Sequence, residues 1–286
     1  MKIYIDGAFY DKDEAKISVY DHGLLYGDGV FEGIRIYKGV VFKLREHLTR
    51  LYDSAKAILL TIPMDPEDLA RDVLKTVQMN KKHEGYIRLI ITRGKGNLGL
   101  NPFTCEKATV IIIVDDIQLY PQACYQEGIA IITASVRRMP PDCLDPKIKS
   151  LNYLNNIMAK IEAIQAGCLE ALLLNREGYV TECTGDNIFY LKNKVLITPE
   201  SSQGALEGIT RNTVLDAARE IGIETGVKAV TVYDLYTADE CFLTGTAAEL
   251  IPVVRIDGRI IGSGTPGPLS LDLKKAFLAI VAGNSF

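Results

Sequence analysis

The amino-acid sequence predicts a two-domain protein of the mixed α/β class. With 286 residues, the chain is long enough for two domains of ordinary size. Residues 1–115 contain short β-rich runs and amphipathic helical segments, and residues 129–286 contain both kinds of segment as well. Between them, residues 116–128 carry Pro121 among mixed polar residues, which is typical of a linker. We therefore expect a smaller N-terminal domain, a linker and a larger C-terminal domain.

The N-terminal domain is predicted to contain short strands and two helices. Lys38-Gly39 separates two β-rich runs by two residues and so predicts a hairpin. Arg45–Leu59 and Asp65–Met79 place apolar residues at helical spacing. The predicted strands are Lys2–Ile5, Ala8–Tyr10, Val30–Tyr37, Val40–Leu44, Tyr86–Thr92 and Thr109–Val114.

The C-terminal domain also mixes both kinds of element. One helix is predicted over Leu151–Ala166, ending at Gly167, and another over Thr210–Ile221. The predicted strands are Ile129–Val136, Ala171–Asn175, Tyr179–Thr181, Asn187–Leu191, Val195–Thr198, Lys228–Val232 and Glu240–Thr244.

Composition excludes several classes of function. Hydrophobic residues make up 48% of the chain and charged residues 24%, as in globular proteins. The formal net charge of −4 provides no general positive field, so nucleic acid is not an expected partner. The apolar runs are too short to span a membrane, and the first residues lack the apolar core of a signal peptide. We therefore expect no membrane partner and a cytoplasmic location.

Two common kinds of site are also disfavoured. The six cysteines form no Cys-x-x-Cys motif, and the three histidines are scattered, so no metal site is predicted. Gly94, Gly96 and Gly99 match Gly-x-Gly-x-x-Gly after a predicted strand, but they lead into Pro102 rather than into a helix. We interpret this stretch as a flexible loop.

Two ionisable residues stand at positions that could carry chemistry. Lys149 precedes the predicted helix Leu151–Ala166, where partial burial and the positive helix end would favour a neutral, nucleophilic amine. An exposed loop lysine is the simpler alternative. Glu182 ends a predicted strand; if buried, it needs a cationic partner, and a protonated heteroaromatic nitrogen would serve. A solvent-facing or turn-capping carboxylate remains the alternative.

Two further segments are typical of anion binding. Gly208-Ile209-Thr210 and Gly245-Thr246-Ala247 each combine backbone N–H groups with a hydroxyl where a helix is predicted to begin. The threonines could equally be simple helix caps. Together with Arg50 on a helix of the first domain, the two segments would suit one phosphate group in a cleft between the domains.

In combination, these residues resemble those of the fold-type IV, or class IV, pyridoxal-phosphate aminotransferases. These enzymes share the fold of D-amino acid aminotransferase. The resemblance covers nearly the whole chain. Its motifs are Tyr4-Ile-Asp-Gly7, Tyr26-Gly-Asp-Gly-Val-Phe31-Glu-Gly33-Ile-Arg35, Arg45-Glu-His-Leu-Thr-Arg50, Lys149-Ser-Leu-Asn-Tyr153, Glu182 to Phe189, Leu206-Glu-Gly208-Ile-Thr210-Arg211 and Gly245-Thr246-Ala-Ala-Glu249.

The resemblance implies pyridoxal 5'-phosphate (PLP) as cofactor and a role for each matching residue. Lys149 is implied to form the Schiff base and to move the substrate proton, with Lys147 as the alternative. Glu182 is implied to keep the pyridine nitrogen protonated, and Tyr153 to donate to the phenolic oxygen. The residues implied to hold the phosphate are Arg50, Ile209, Thr210 and Thr246.

Within the family, branched-chain amino acid aminotransferases show the nearest pattern. The implied reaction is ping-pong transfer of the amino group of L-leucine, L-isoleucine or L-valine to 2-oxoglutarate, by a homodimer or an assembly of dimers. Arg88 is implied to meet the distal carboxylate of glutamate, and Tyr120 to close over the pocket. The full set of implied substrate-binding residues is Tyr26, Phe31, Gly33, Tyr86, Arg88, Tyr120, Thr246 and Ala247.

Three alternatives remain open. Thr92-Arg93-Gly94 resembles a segment in which the D-amino acid branch places a carboxylate-binding arginine, so a D-amino acid aminotransferase is one alternative. An aminodeoxychorismate lyase on the same fold is another. A non-catalytic binding protein is the third, although it would not be expected to keep both Lys149 and Glu182.

Overall fold

The computed structural model describes residues 1–117 and 120–283, which form two compact units. The first unit contains residues 1–117 and Ile148–Asn152, and the second contains residues 120–147 and Tyr153–Gly283. The segment with Lys149 therefore groups with the first unit, whereas the division by sequence order assigned it to the C-terminal domain. The reason is an antiparallel bridge between Ser150 and Val30.

The strands of the first unit form one antiparallel sheet. In residues 1–117 they are β1 (Lys2–Ile5), β2 (Ala8–Asp11), β3 (Gly29–Tyr37), β4 (Val40–Val41), β5 (Gly85–Thr92) and β6 (Thr109–Asp115). Their order across the sheet is β2-β1-β6-β5-β3-β4. In β3 and β5, buried aliphatic residues alternate with residues on the opposite face, as the period of a strand requires.

The helices of this unit are α1 (His22–Tyr26), α2 (Leu44–Ala57) and α3 (Pro66–Asn80). Leu44, Leu48 and Leu51 put one face of α2 into the core, and burying each stabilises the fold by roughly 1.5–3 kcal/mol. The Asp65 carboxylate accepts the Asp68 N–H (2.8 Å) and so starts α3. Both predicted helices are confirmed.

The predicted hairpin at Lys38-Gly39 is also confirmed, but its second strand is short. Both turn residues have positive φ (49° and 84°), as a two-residue hairpin turn requires, and Tyr37 pairs with Val40. The strand predicted over Val40–Leu44 ends at Val41, because the backbone of Lys43 adopts the left-handed helical conformation and Leu44 begins α2.

The second unit is built on a mixed sheet. Its strands among the described residues are β7 (Ile129–Arg137), β8 (Glu170–Leu174), β9 (Val180–Cys183), β10 (Asn187–Lys192), β11 (Val195–Pro199), β12 (Thr225–Lys228), β13 (Glu240–Gly245), β14 (Glu249–Ile256) and β15 (Arg259–Ile260). Their order across the sheet is β12-β11-β10-β13-β14-β7-β8-β9, with β15 beside β14. The β11–β12, β14–β7 and β7–β8 pairs are parallel.

The helices of the second unit are α4 (Gln122–Glu127), α5 (Pro141–Leu144), α6 (Leu154–Gln165), α7 (Ile209–Glu220), α8 (Val232–Tyr236) and α9 (Pro268–Gly283). α6 packs on β7 and β8, and α7 packs on α9 and β13. Helix α4 lies inside the stretch predicted as a linker. No helix in the described part of the chain is long and apolar enough to cross a lipid bilayer.

Two predicted elements of this unit are wrong. The strand predicted over Lys228–Val232 lies earlier, at β12, because Thr225 pairs with Leu196 of β11. Residues from Val232 onward are helical, since Thr231 and Asp234 form a reciprocal cap. The helix predicted to begin at Gly245-Thr246-Ala247 is instead a tight turn between β13 and β14.

Candidate active site

Lys149 lies in the short segment that pairs with the start of β3. The Phe31 N–H donates to the Lys149 carbonyl (3.0 Å), and the Leu151 N–H donates to the Gly29 carbonyl (2.9 Å). The Lys149 N–H donates to the hydroxyl of Ser54 on α2 (3.2 Å). The Lys149 ammonium nitrogen lies 4.4 Å from the centre of the Phe31 ring. The lysine backbone is therefore held at both polar groups, and its half-buried amine lies against an apolar ring.

This placement corrects one expectation. Helix α6 begins only at Leu154, so Lys149 does not stand at a helix start. Lys147, the alternative lysine, has a side chain that is 50% exposed, and its nitrogen lies 3.7 Å from the Asp145 carboxylate. Of the two lysines, Lys149 has the surroundings of a reactive amine.

A buried ionic cluster lies on the core face of the same sheet. The Glu32 carboxylate on β3 accepts two hydrogen bonds from Arg50, through Nε and Nη2 (both 2.8 Å). It also accepts one from Nδ1 of His47 (2.7 Å). Glu32 and His47 are fully buried, whereas the Arg50 side chain is 15% exposed. Arg50, predicted to hold a phosphate, is thus oriented by a carboxylate that the sequence analysis did not single out.

The charges of this cluster follow from its burial. Burial alone raises the pKa of Glu32, but Arg50 and His47 outweigh it and lower the pKa from 4.5 to about 2. Burial lowers the pKa of His47, and the Arg50 and Lys149 cations lower it further against the opposing effect of Glu32. We infer an ionised Glu32 between a guanidinium and a neutral imidazole.

Replacing Glu32 with glutamine is expected to reduce stability in a pH-dependent way. At neutral pH the change removes the buried negative charge that faces Arg50, at a cost of about 3–5 kcal/mol. Because the folded-state pKa is depressed, the contribution of Glu32 is complete above pH 4.5 and is lost as pH falls towards 2. Melting temperatures of both proteins between pH 7 and 3 should therefore converge on acidification. A difference that stays constant with pH would contradict this assignment.

Four predicted substrate-binding residues share the opposite face of the sheet. In the β3–β5 register, Gly33 lies opposite Arg88, and Phe31 and Tyr86 follow on the same face. The Arg88 guanidinium lies 4.6 Å from the Phe31 ring centre and 5.5 Å from that of Tyr86. A Cβ atom at Gly33 would lie 1.9 Å from the Tyr86 hydroxyl oxygen, so any larger residue there would require the Tyr86 ring to move. The face combines the aromatic surface of Phe31 and Tyr86 with the Arg88 cation.

Tyr26 and Arg93 serve structural roles in the described contacts. The Tyr26 hydroxyl accepts the Gly99 N–H (2.9 Å), which ties α1 to the loop that follows β5. Arg93 is 8% exposed and donates to both carboxylate oxygens of Asp28 (2.8 and 3.0 Å). Its guanidinium also donates to the carbonyls of residues 58 and 59. Arg93 thus ties the chain after β5 to the end of α2.

Glu182 lies in the second unit at the end of β9 and is 6% exposed. One carboxylate oxygen accepts from Nη2 of Arg138 (2.5 Å) and the other from the Leu206 N–H (2.9 Å). Arg138 also donates to the Asn156 side chain (2.8 Å) and the Gly204 carbonyl (3.1 Å). The buried glutamate therefore has a cationic partner in the protein itself, and its burial alone does not require a heteroaromatic nitrogen.

The two predicted anion-binding segments differ in structure. Gly208 is the N-cap of α7 and supplies no side-chain cap, so the first N–H groups of the helix are available to an anion. The close approach of the Asn187 carboxamide, 2.0 Å from where a Cβ would lie, requires glycine there. Thr210 is buried in the first turn. Thr246 and Ala247 lie half-buried in the β13–β14 turn.

Tyr120, predicted to close over the substrate, lies in the core of the second unit and is 3% exposed. Its hydroxyl donates to Asp186 (3.0 Å) and lies 3.5 Å from a Glu170 oxygen. Burial and the charge of Glu170 raise the pKa of Asp186 to about 7. The Tyr120 hydroxyl is thus engaged by a buried acid pair.

Sequence reasoning missed Glu32, His47, Ser54 and Arg138. The first three were detectable: Glu32 has the same strand parity as Val30 and Ile34, and the helical positions of His47 and Ser54 fall beside buried leucines. A polar residue at an apolar position signals a buried interaction. Arg138 follows a strand in a loop, where no periodicity marks it.

Each unit supplies groups suited to one kind of chemistry. The first places an amine beside aromatic surface and also contains an arginine, Arg50, that a buried carboxylate orients. The second supplies a buried carboxylate paired with an arginine, a helix N-terminus and a threonine-bearing turn. A nucleophilic amine, an anion-binding helix start and a carboxylate for a protonated nitrogen are what a phosphorylated aldehyde with a heteroaromatic ring requires.

Comparisons with known proteins agree with this chemistry. Residues 29–256 match the family model of class IV amino-transferases. A Methanocaldococcus jannaschii protein with a provisional branched-chain-amino-acid aminotransferase name is 53% identical over 277 residues, or 97% of this chain and 95% of that protein. The D-alanine aminotransferase of Bacillus licheniformis is 39% identical over 96% of this chain and 95% of its own length.

Among solved structures, a crystal structure of the T.th. branched-chain amino acid aminotransferase with pyridoxamine 5'-phosphate is 41% identical, with a TM-score of 0.95. The match covers 99% of this chain and 95% of that one. These findings confirm the resemblance and the predicted mixed α/β fold. The chain belongs to the class IV amino-transferase family.

Proposed function

We propose that this protein is a PLP-dependent aminotransferase that moves the amino group of L-leucine, L-isoleucine or L-valine to 2-oxoglutarate. The observation that carries the proposal is the placement of Lys149. Its backbone is held by β3 and α2, and its amine lies against Phe31. A lysine fixed in this way is suited to covalent capture of a carbonyl group.

The residues present fit PLP. A helix N-terminus without a side-chain cap suits a phosphate, and a buried carboxylate suits a protonated ring nitrogen. When bound, PLP supplies an electron-poor ring that stabilises negative charge on the substrate α-carbon. We assign phosphate binding to Arg50, Ile209, Thr210 and Thr246, following the family resemblance.

The remaining roles concern protons. We assign Lys149 the transfer of the substrate α-proton. Its amine is set free when the substrate binds and can then act as a base. Glu182 would hold the proton on the ring nitrogen, and Arg138 keeps its carboxylate in place. Tyr153, the N-cap residue of α6, would donate to the phenolic oxygen.

The aromatic face of the first unit supports the substrate assignment. Phe31 and Tyr86 offer apolar surface for a branched side chain, whereas Arg88 between them offers a charge for the distal carboxylate of glutamate. Thr246 and Ala247 are proposed to hold the α-carboxylate. Tyr26 and Tyr120 also remain proposed substrate contacts, although their hydroxyls are engaged by Gly99 and Asp186.

A D-amino acid aminotransferase is the second candidate, because the Bacillus licheniformis relative carries that name. The contacts of Arg93 argue against it in one respect. The guanidinium that the sequence suggested as a carboxylate ligand is engaged by Asp28 and two backbone carbonyls. We therefore favour the L-branched-chain reaction.

The test is substrate profiling of the PLP-loaded protein. L-leucine, L-isoleucine and L-valine should each bleach the visible cofactor band without an acceptor, and 2-oxoglutarate should restore it. Initial rates at several acceptor concentrations should give parallel double-reciprocal lines. A response to D-alanine but not to L-leucine would support the second candidate, and no visible band with added PLP would refute both.

The exposed face of α6 supports self-association. Its apolar residues recur at helical spacing and are 41–70% exposed: Leu154, Ile157, Met158, Ile161 and Ile164. A contiguous apolar stripe of this kind marks a protein interface more often than a free surface. We propose a homodimer, alone or within an assembly of dimers. Residence in the cytoplasm, expected from the sequence, stays a prediction.

A further inference from the structure

The backbone N–H of Lys149 has a partner that lies outside the sheet. The carbonyl of Lys149 and the N–H of Leu151 pair with β3, as in a short additional strand. The Lys149 N–H instead donates to the Ser54 hydroxyl (3.2 Å), on a helix far away in sequence. Ser54 is 3% exposed, so this hydroxyl is not shared with bulk water.

Ser54 belongs to a polar stripe on the otherwise apolar inner face of α2. His47 and Arg50 precede Ser54 on the same side of the helix, at spacings that align them. His47 and Arg50 bond to Glu32 on β3, and Ser54 bonds to the segment next to β3. One rigid helix therefore holds both the arginine and the lysine backbone.

We propose that Ser54 is a positioning residue for Lys149: its hydroxyl fixes the backbone from which the reactive amine extends. This inference rests on the proposed function of Lys149. The Phe31 N–H holds the Lys149 carbonyl, and the Ser54 hydroxyl holds the Lys149 N–H, so the peptide groups on both sides of the Lys149 Cα are fixed. Small displacements of a reacting group reduce rates strongly while leaving substrate binding intact.

The test compares Ser54→Ala with Ser54→Thr, which keeps a hydroxyl, in the PLP-loaded and PLP-free protein. Ser54→Ala should lower kcat roughly tenfold with the KM for L-leucine unchanged. The visible band should form roughly tenfold more slowly when PLP is mixed with the PLP-free protein. The Lys149 amide should also exchange its hydrogen faster, and Ser54→Thr should restore all three measurements.

Ser150→Ala is the matched control. Ser150 is a buried serine in the same segment as Lys149, but its hydroxyl accepts the Asn152 N–H (3.3 Å). It should leave kcat, band formation and Lys149 amide exchange near wild type. If Ser54→Ala and Ser150→Ala lose activity equally, the inference about Ser54 is overturned, but the proposed function is not. The same holds if Ser54→Ala loses no activity while the wild type binds PLP. A wild type that forms no band would overturn the proposed function and this inference with it.

Discussion

Replacing Lys149 with alanine is expected to lower transamination of L-leucine by at least about 10⁴-fold. Under the proposed function the amine both captures the cofactor and moves the substrate proton, so one change would remove two functions. The protein should still fold, because the contacts that hold this segment come from the backbone. The measurement is single-turnover bleaching of the PLP-loaded protein by L-leucine.

Lys147→Ala is the control for this experiment. Lys147 lies two positions earlier in the chain, with a half-exposed side chain whose ion-pair partner is the nearby Asp145. Its removal should change the bleaching rate by less than about twofold, since exposed ion pairs contribute little. Loss of bleaching in Lys147→Ala with retention in Lys149→Ala would reverse the assignment of the reactive lysine.

The two lysines also show what sequence could predict about the site. The Lys-Ser-Leu-Asn motif singled out Lys149 as a resemblance, but the physical argument for it was wrong. That argument placed Lys149 at a helix start, because the periodicity of Leu151–Ala166 is local information. The bridge from Ser150 to Val30 joins residues far apart in sequence, which no local pattern encodes.

Across the whole fold, elements set by local sequence were predictable and elements set by long-range pairing were not. Helices α2 and α3 and the hairpin at Lys38-Gly39 were predictable, since spacing and turn chemistry are local signals. The turn at Thr246 was not, because a Gly-Thr-Ala sequence suits a helix start and a strand turn equally well. Its conformation depends on the pairing of β13 with β14. Long-range pairing was therefore the missing information in both cases.

Replacing Arg138 with methionine is expected to lower the melting temperature of the PLP-free protein by roughly 10 °C. The change leaves the buried Glu182 carboxylate without its cation, and breaking a buried pair in this way costs about 3–5 kcal/mol. It also removes donors from Asn156 and the Gly204 carbonyl. The measurement is thermal unfolding at neutral pH, followed by circular dichroism.

Arg137→Met is the matched control, because Arg137 is the preceding residue and is exposed. An exposed substitution of this kind should change stability by no more than about 0.5 kcal/mol. Adding Glu182→Gln to Arg138→Met separates two causes of the loss. If the unpaired carboxylate is responsible, the double variant should melt higher than Arg138→Met, since it no longer buries a charge. If the double variant melts at the same temperature or lower, the loss arises from packing around Arg138. The Glu182–Arg138 ion pair would then not account for the stability that Arg138 provides.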